Sequence, residues 1–149
     1  MDDPKVKLNA SLKEAMISKD IKRRDVIRTL LSAIKQVEID TRKELTPDDS
    51  FSILQKEAKK RRESIDEMEK AGRTDLADNE KYELGLIEEF LPKQLSRDEI
   101  AILVQEAIDQ TGVTSAKEMG KLMGALMPKV KGLADGKLVN EVVRELLSQ

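Results

Sequence analysis

The residues with the clearest capacity for chemistry lie between 115 and 140, in SAKEMGKLMGALMPKVKGLADGKLVN. Five lysines, Lys117, Lys121, Lys129, Lys131 and Lys137, are spread along this stretch. Among them stand Gly120, Gly124, Gly132 and Gly136, with Pro128 and Asp135. Lysine ammonium groups beside glycine-opened backbone suit the holding of phosphate. The first amides of a helix have no internal partner and sit at the positive end of its dipole, so they attract anions. A helix beginning after Asp135 offers such amides, with Lys129, Lys131 and Lys137 around them and Lys117 and Lys121 on the preceding helix. The same residues also suit plain turn chemistry, in which Asp135 caps the helix and repels an anion. Both readings stand at the level of sequence.

Other chemistry finds little support. The chain contains neither cysteine nor histidine. That removes disulfides, thiolate nucleophiles, Cys/His metal sites and the commonest general acid–base side chain. There is no GxxxxGK[ST] phosphate loop and no HExxH or carboxylate-loop metal motif. Adjacent carboxylates such as Asp48–Asp49 and Glu88–Glu89 face different directions on a helix and read as solvated surface. No serine or lysine spacing selects a nucleophile with its base. No catalytic residue, metal ligand or cofactor is expected from these patterns.

The elements that must position the lysines are all helical. The apolar residues recur at spacings of three and four throughout, and no strand-like alternation appears. The first helix is expected from about Pro4 to Lys19, with Leu8, Leu12, Ala15 and Met16 on its inner face. Asp20 is expected to cap a second helix running to about Thr41. The cations Lys22, Arg23 and Arg24 in its first turn oppose the helix dipole, which favours acids there. They read either as a solvated face or as an anion contact. Thr46-Pro47-Asp48-Asp49 predicts a third helix start, and Gly72 its end near Ala71. Its core positions are Phe51, Leu54, Ala58, Ile65 and Met68. A fourth helix is expected from Thr74 to about Leu91, stopped by Pro92.

Pro92-Lys93-Gln94-Leu95-Ser96 is the best candidate boundary between domains. The expected organisation is a four-helix part over residues 1–92 and a three-helix part over 96–149. Ser96 with Glu99, and Ser115 with Glu118, predict capping boxes. Pro128 is expected to end the sixth helix at about Met127, and Asp135 to cap the seventh. Gly120 and Gly124 lie on one helix face, and each costs about 1 kcal/mol of helix propensity against alanine. Close helix–helix contact is the simplest compensation. Met119, Met123 and Met127 read as adaptable core.

Length and composition bound the rest. A chain of 149 residues makes one domain or two small ones. Aromatics are only 2%, so the core must be aliphatic. The net charge of −2 hides a pattern: residues 1–62 carry net +5, residues 63–110 net −9 and residues 111–149 net +2. The amino-terminal MDDPKVKLNAS lacks an apolar signal region, and no apolar run approaches the ~20 residues that span a bilayer. The expected setting is the cytoplasm, with no membrane partner.

The stretch MGKLMGALMPKVKGLADGKLVN resembles the signature of the GatB/YqeY family. The KRRDVIRTLLSAIKQVEID helix, the segment from KEAKKRRES to FLPKQLS and the total length agree with it, so the resemblance covers essentially the whole chain. The carboxy-terminal part is similar to the tail domain of the B subunit of glutamine-dependent tRNA amidotransferase. The resemblance implies an all-α fold and an accessory protein that meets tRNA or another structured RNA. The matching positions that would meet RNA are Lys121, Lys129, Lys131, Gly132, Gly136, Lys137 and Asn140, with Lys117 nearby and Asp135 in the same turn. Two alternatives stand beside this reading. One is a protein–protein module for an aminoacyl-tRNA synthetase or an amidotransferase, suggested by the acidic middle, residues 63–110, and the basic ends. The other, resting only on the resemblance to the full enzyme, is a carbon–nitrogen ligase with glutamine as amide donor.

Overall fold

A computed structural model describes residues 3–148. Among these residues the fold is all-α, with seven helices and no strand: α1 (Pro4–Ser18), α2 (Ile21–Thr41), α3 (Pro47–Lys70), α4 (Thr74–Glu88), α5 (Arg97–Thr111), α6 (Met119–Val130) and α7 (Gly136–Leu147). A short 3-10 turn, Ala116–Glu118, precedes α6. The chain divides into two compact units, Met1–Pro92 and Lys93–Gln149.

Local chemistry explains most helix ends. The Asp20 carboxylate accepts from the Arg23 amide at 3.1 Å and starts α2. Thr46 and Asp49 form a reciprocal box at the start of α3, each side chain accepting from the other's amide at 3.2 and 3.1 Å. Two orphan donors are satisfied at once. Ser96 Oγ accepts from the Glu99 amide at 3.2 Å and opens α5. Gly72 and Gly112, at φ 73° and 71°, close α3 and α5 in the left-handed region.

The amino-terminal unit packs α1 on α2 and α3 on α4 around Leu8, Ile27, Leu30, Ile34, Leu54 and Ile87, all fully buried. Several of its cations meet partners within the unit. Arg23 Nη2 donates to the buried Ser11 Oγ at 2.9 Å, and Nη1 to Glu89 Oε2 at 2.9 Å. That hydrogen-bonded partner holds the Arg23 guanidinium above its usual pKa. Lys22 Nζ sits 4.1 Å from the Tyr82 ring centre, and Arg24 pairs with Asp25 at 2.9 Å. Of the three, Arg23 is the one hydrogen-bonded to partners distant in sequence, while Lys22 stays exposed and Arg24 pairs with its own neighbour. Between α3 and α4, Arg61 pairs with Glu83 at 3.6 Å, Arg62 with Glu88 at 3.7 Å and Lys81 with Glu69 at 2.7 Å.

The carboxy-terminal unit has its own aliphatic core, with Ile100, Val104, Leu122, Leu126, Val139 and Val142 at its centre. Arg97 at the start of α5 is clamped to Glu145 and, at 3.6 Å, to Glu141 of α7.

Several expectations are corrected. The Ser115 side chain makes no cap bond; instead Glu118 Oε2 accepts from the Thr114 amide at 3.1 Å. The 3-10 turn displaces the start of α6 to Met119 and leaves no standard first turn for Ser115 to cap. The fourth helix stops at Glu88 rather than Leu91, and the chain tightens into successive short turns that bury Phe90 and Leu91. Helix α6 runs through Pro128 to Val130. Proline removes the bond that would reach the carbonyl of Gly124. Gly124 and Pro128 are both exposed, so the lost bond falls on the solvent side of the helix. Gly120 and Gly124 pack against nothing: a Cβ at either would meet no atom within 4 Å. Met127 is exposed rather than core.

Candidate nucleic-acid interface

Residues Val130 to Leu133 form the turn after α6. Lys131 has φ −57° and ψ 123°, Gly132 has φ 79°, and the Leu133 amide donates to the Val130 carbonyl at 2.9 Å. That is a type II β-turn, which needs a residue free to take positive φ at its third position. Gly132 supplies it, and Lys131 occupies the turn's second position, exposed. The turn is held from the start of the same unit. Gln94 Nε2 donates to the Gly132 carbonyl at 3.2 Å, and the Leu95 amide to the Leu133 carbonyl at 2.7 Å.

Upstream of the turn, Gly120, Gly124 and Pro128 recur every four residues along one side of α6, a spacing that keeps them on one face. All three are exposed, and so are Lys121, which borders that face, and Lys131 at its end. Lys117, on the 3-10 turn, and Lys129 are exposed as well. Among the described residues, no ion pair engages Lys117, Lys121, Lys129 or Lys131, in contrast to the paired arginines of α2 and α3. The result is a face bare of side chains at Gly120 and Gly124, with the exposed Met127 beside Pro128 and ammonium groups at its border that make no ion pair among the described residues.

The start of α7 adds a second feature. Asp135 occupies the cap position in extended backbone, yet its side chain bonds no amide. The cap bond expected of it is not made. Gly136, Lys137 and Asn140 follow in the first turns, all exposed. A Cβ on Gly136 would also meet nothing within 4 Å. The eight residues singled out in the sequence thus all belong to the carboxy-terminal unit. Lys117, Lys121, Lys129, Lys131 and Gly132 belong to the α6 side and its turn; Gly136, Lys137 and Asn140 belong to the start of α7. Sequence reading missed the Gln94 and Leu95 bonds, which span 38 residues and carry no local signal.

Among the described residues no group of three or more acidic side chains is placed to hold a metal ion, and no helix is long and apolar enough to cross a membrane.

Comparison with known proteins gives the arrangement its context. The chain is similar to a protein named altered inheritance of mitochondria protein 41, mitochondrial, from Pyrenophora tritici-repentis: 31% identity over 147 residues, covering 95% of this chain and 79% of that one. The protein of the same name from Eremothecium gossypii is 42% identical over 87 residues, covering 56% of this chain and 46% of the relative. The match therefore spans about half the length of that relative. A third relative, from Thermococcus sibiricus, is named as a subunit of glutamyl-tRNA(Gln) amidotransferase; it is 35% identical over 121 residues, covering 77% of this chain and 18% of that protein. The cytoplasmic setting expected from the sequence is corrected by these names: the relatives called mitochondrial point to the mitochondrion rather than the cytoplasm. The model of the Yqey-like protein family matches residues 5–147, nearly the whole chain, and the chain belongs to that family.

Proposed function

We propose that the chain is a non-catalytic accessory protein that binds tRNA or another structured RNA through α6 and the turn that follows it. One observation carries this reading. The exposed Gly120–Gly124–Pro128 strip is bordered by Lys121 and Lys131, which make no ion pair among the described residues. Glycine in a helix is costly, and here no packing inside the unit offsets the cost. Gly120 and Gly124 let another backbone approach the helix closely, and the lysines give that approach a polyanionic target. The type II turn presents Lys131 at a fixed position.

Contact of this kind reads shape and charge. Side chains cannot readily reach base edges in the deep, narrow major groove of an A-form helix. With aromatics at 2%, base stacking on single strands has little to work with. The relative named for tRNA(Gln) amidotransferase supports a tRNA-related setting. The match covers only 18% of that relative, so its catalysis is not carried across.

The test is a fluorescence titration of labelled tRNA at several salt concentrations. Neutralising about three to five phosphates gives a log–log salt slope of roughly −3 to −4.5, taking the duplex relation as guide. Absence of binding at low salt, or binding indifferent to salt, overturns the reading.

A further inference from the structure

The amino-terminal unit carries an apolar surface that its own core leaves unused. The helical spacing of α1 aims Met16 inward with Leu8, Leu12 and Ala15, yet Met16 is 52% exposed. Ile17 and Ile21 are 74% and 59% exposed. Two open grooves flank Met16. One, about 350 Å³, lies among Asn9, Leu12, Lys13, Met16 and Ile17. The other, about 250 Å³, lies among Ala15, Met16, Lys19, Ile21 and Arg24. Single exposed apolar residues are ordinary, but a contiguous patch marks an interaction site.

The rim of this patch is cationic. Among the described residues Lys13, Lys19 and Arg28 have no ion pair, and Arg28 Nη2 reaches only the Met16 sulfur, at 4.0 Å. Asp25 is taken by Arg24 and Asp20 by the amide it caps, while Glu14, two residues before Met16, lies on the opposite side of α1. An apolar centre with unneutralised positive edges therefore waits for a surface of opposite design.

We infer that this patch docks an amphipathic helix of another protein, one with apolar residues at i, i+3 or i+4 and carboxylates beside them. Charge complementarity selects the acidic flanks. Two concavities on either side of one side chain select knobs about a helical turn apart, where a flat bilayer would leave both grooves empty. Methionine is flexible and polarisable, and swings to fit what enters. From Asn9 to Lys19 the face is about 15 Å long, enough for about three turns of a docked helix. Base stacking has no aromatic ring here to use. The patch belongs to the other unit from the proposed RNA face and shares no residue with it.

The probe is a fluorescein-labelled peptide of about five helical turns, with leucine on one face and glutamate flanking it, beside a counterpart with lysine for every glutamate. Each is titrated into the full chain carrying 15N amides and 13C methionine methyls. The expected result is saturable binding of the acidic peptide, with shifts at the Met16 methyl and the amides of Lys13, Ile17, Lys19 and Ile21. The lysine counterpart binds at least about tenfold more weakly. Ile17→Glu and, separately, the double change Lys13→Glu with Lys19→Glu each cost at least about tenfold while circular dichroism stays unchanged. Equal binding of both peptides, shifts mapped elsewhere, or no saturable binding overturns the inference. So does binding of phosphatidylglycerol vesicles at these residues without the peptide competing. Concentration-dependent self-association through the patch overturns it too, by assigning the surface to a second copy.

Discussion

Gln94 Nε2 donates to the carbonyl of Gly132 at 3.2 Å, across 38 residues of sequence. Together with the Leu95 amide on the Leu133 carbonyl at 2.7 Å, it fastens the lysine-bearing turn to the segment that leads into α5. Gln94→Ala removes one of these ties. A net hydrogen bond is worth about 0.5–1.5 kcal/mol, so urea denaturation should show a loss of that size. Amide exchange at Leu133 should accelerate while exchange in α1 to α4 stays unchanged.

The glycines of α6 and its turn should respond in opposite ways. Gly132 stands at φ 79°, and an L-residue held in the left-handed region costs about 1–2 kcal/mol. Gly132→Ala should destabilise by that amount. Gly124 lies within the helix with open space where a Cβ would go. Gly124→Ala should therefore stabilise by about 0.5–1 kcal/mol, and thermal unfolding followed by circular dichroism separates the two. If an RNA backbone approaches α6 over this strip, the stabilised variant also binds tRNA more weakly. Stability and affinity then move in opposite directions in one protein.

A pH effect follows from the cap of α3. The Thr46 amide, donating to the Asp49 carboxylate, is the chief cause that holds this carboxyl below the ordinary value of 3.8, with the Thr46 side chain beside it adding to the effect. A pKa lower in the folded than in the unfolded chain contributes stability above the unfolded value, and that contribution is lost as pH falls through the folded one. The window therefore opens near 3.8 and extends below it. Urea midpoints between pH 5 and pH 3 should fall more steeply for the natural chain than for Asp49→Asn. Equal slopes would contradict the assignment.

The sequence made caps and apolar stripes legible because both are local. Asp20, Thr46 and Ser96 start helices as their spacing predicts, and Leu122 with Leu126 lies buried on α6 as its periodicity requires. Periodicity places Gly120 and Gly124 on a common face, but it does not say whether that face meets a neighbour or water. Small size suggested a neighbour, and the answer was water. Pro128 misled for a related reason. A helix ends at proline when the lost bond must be replaced from inside the protein, and here the orphaned carbonyl is on the wet side. The partners of Lys22 and Arg23, on Tyr82 and Glu89, lie some sixty residues away, beyond any local pattern. The lysines of the candidate site were legible as residue types, while the lack of an ion pair at Lys117, Lys121, Lys129 and Lys131 among the described residues needed the fold.

The central claim is that unpaired lysines along the glycine strip of α6 meet an RNA backbone. The most direct measurement is the tRNA titration across salt concentrations, run on the natural chain and on the double variant Lys121→Glu with Lys131→Glu. Both residues are exposed, so circular dichroism should show the same fold. The account predicts that affinity at low salt falls at least about tenfold and that the salt slope shrinks by about 2, one phosphate contact for each lysine. Equal affinity and an equal salt slope in the two proteins would contradict it.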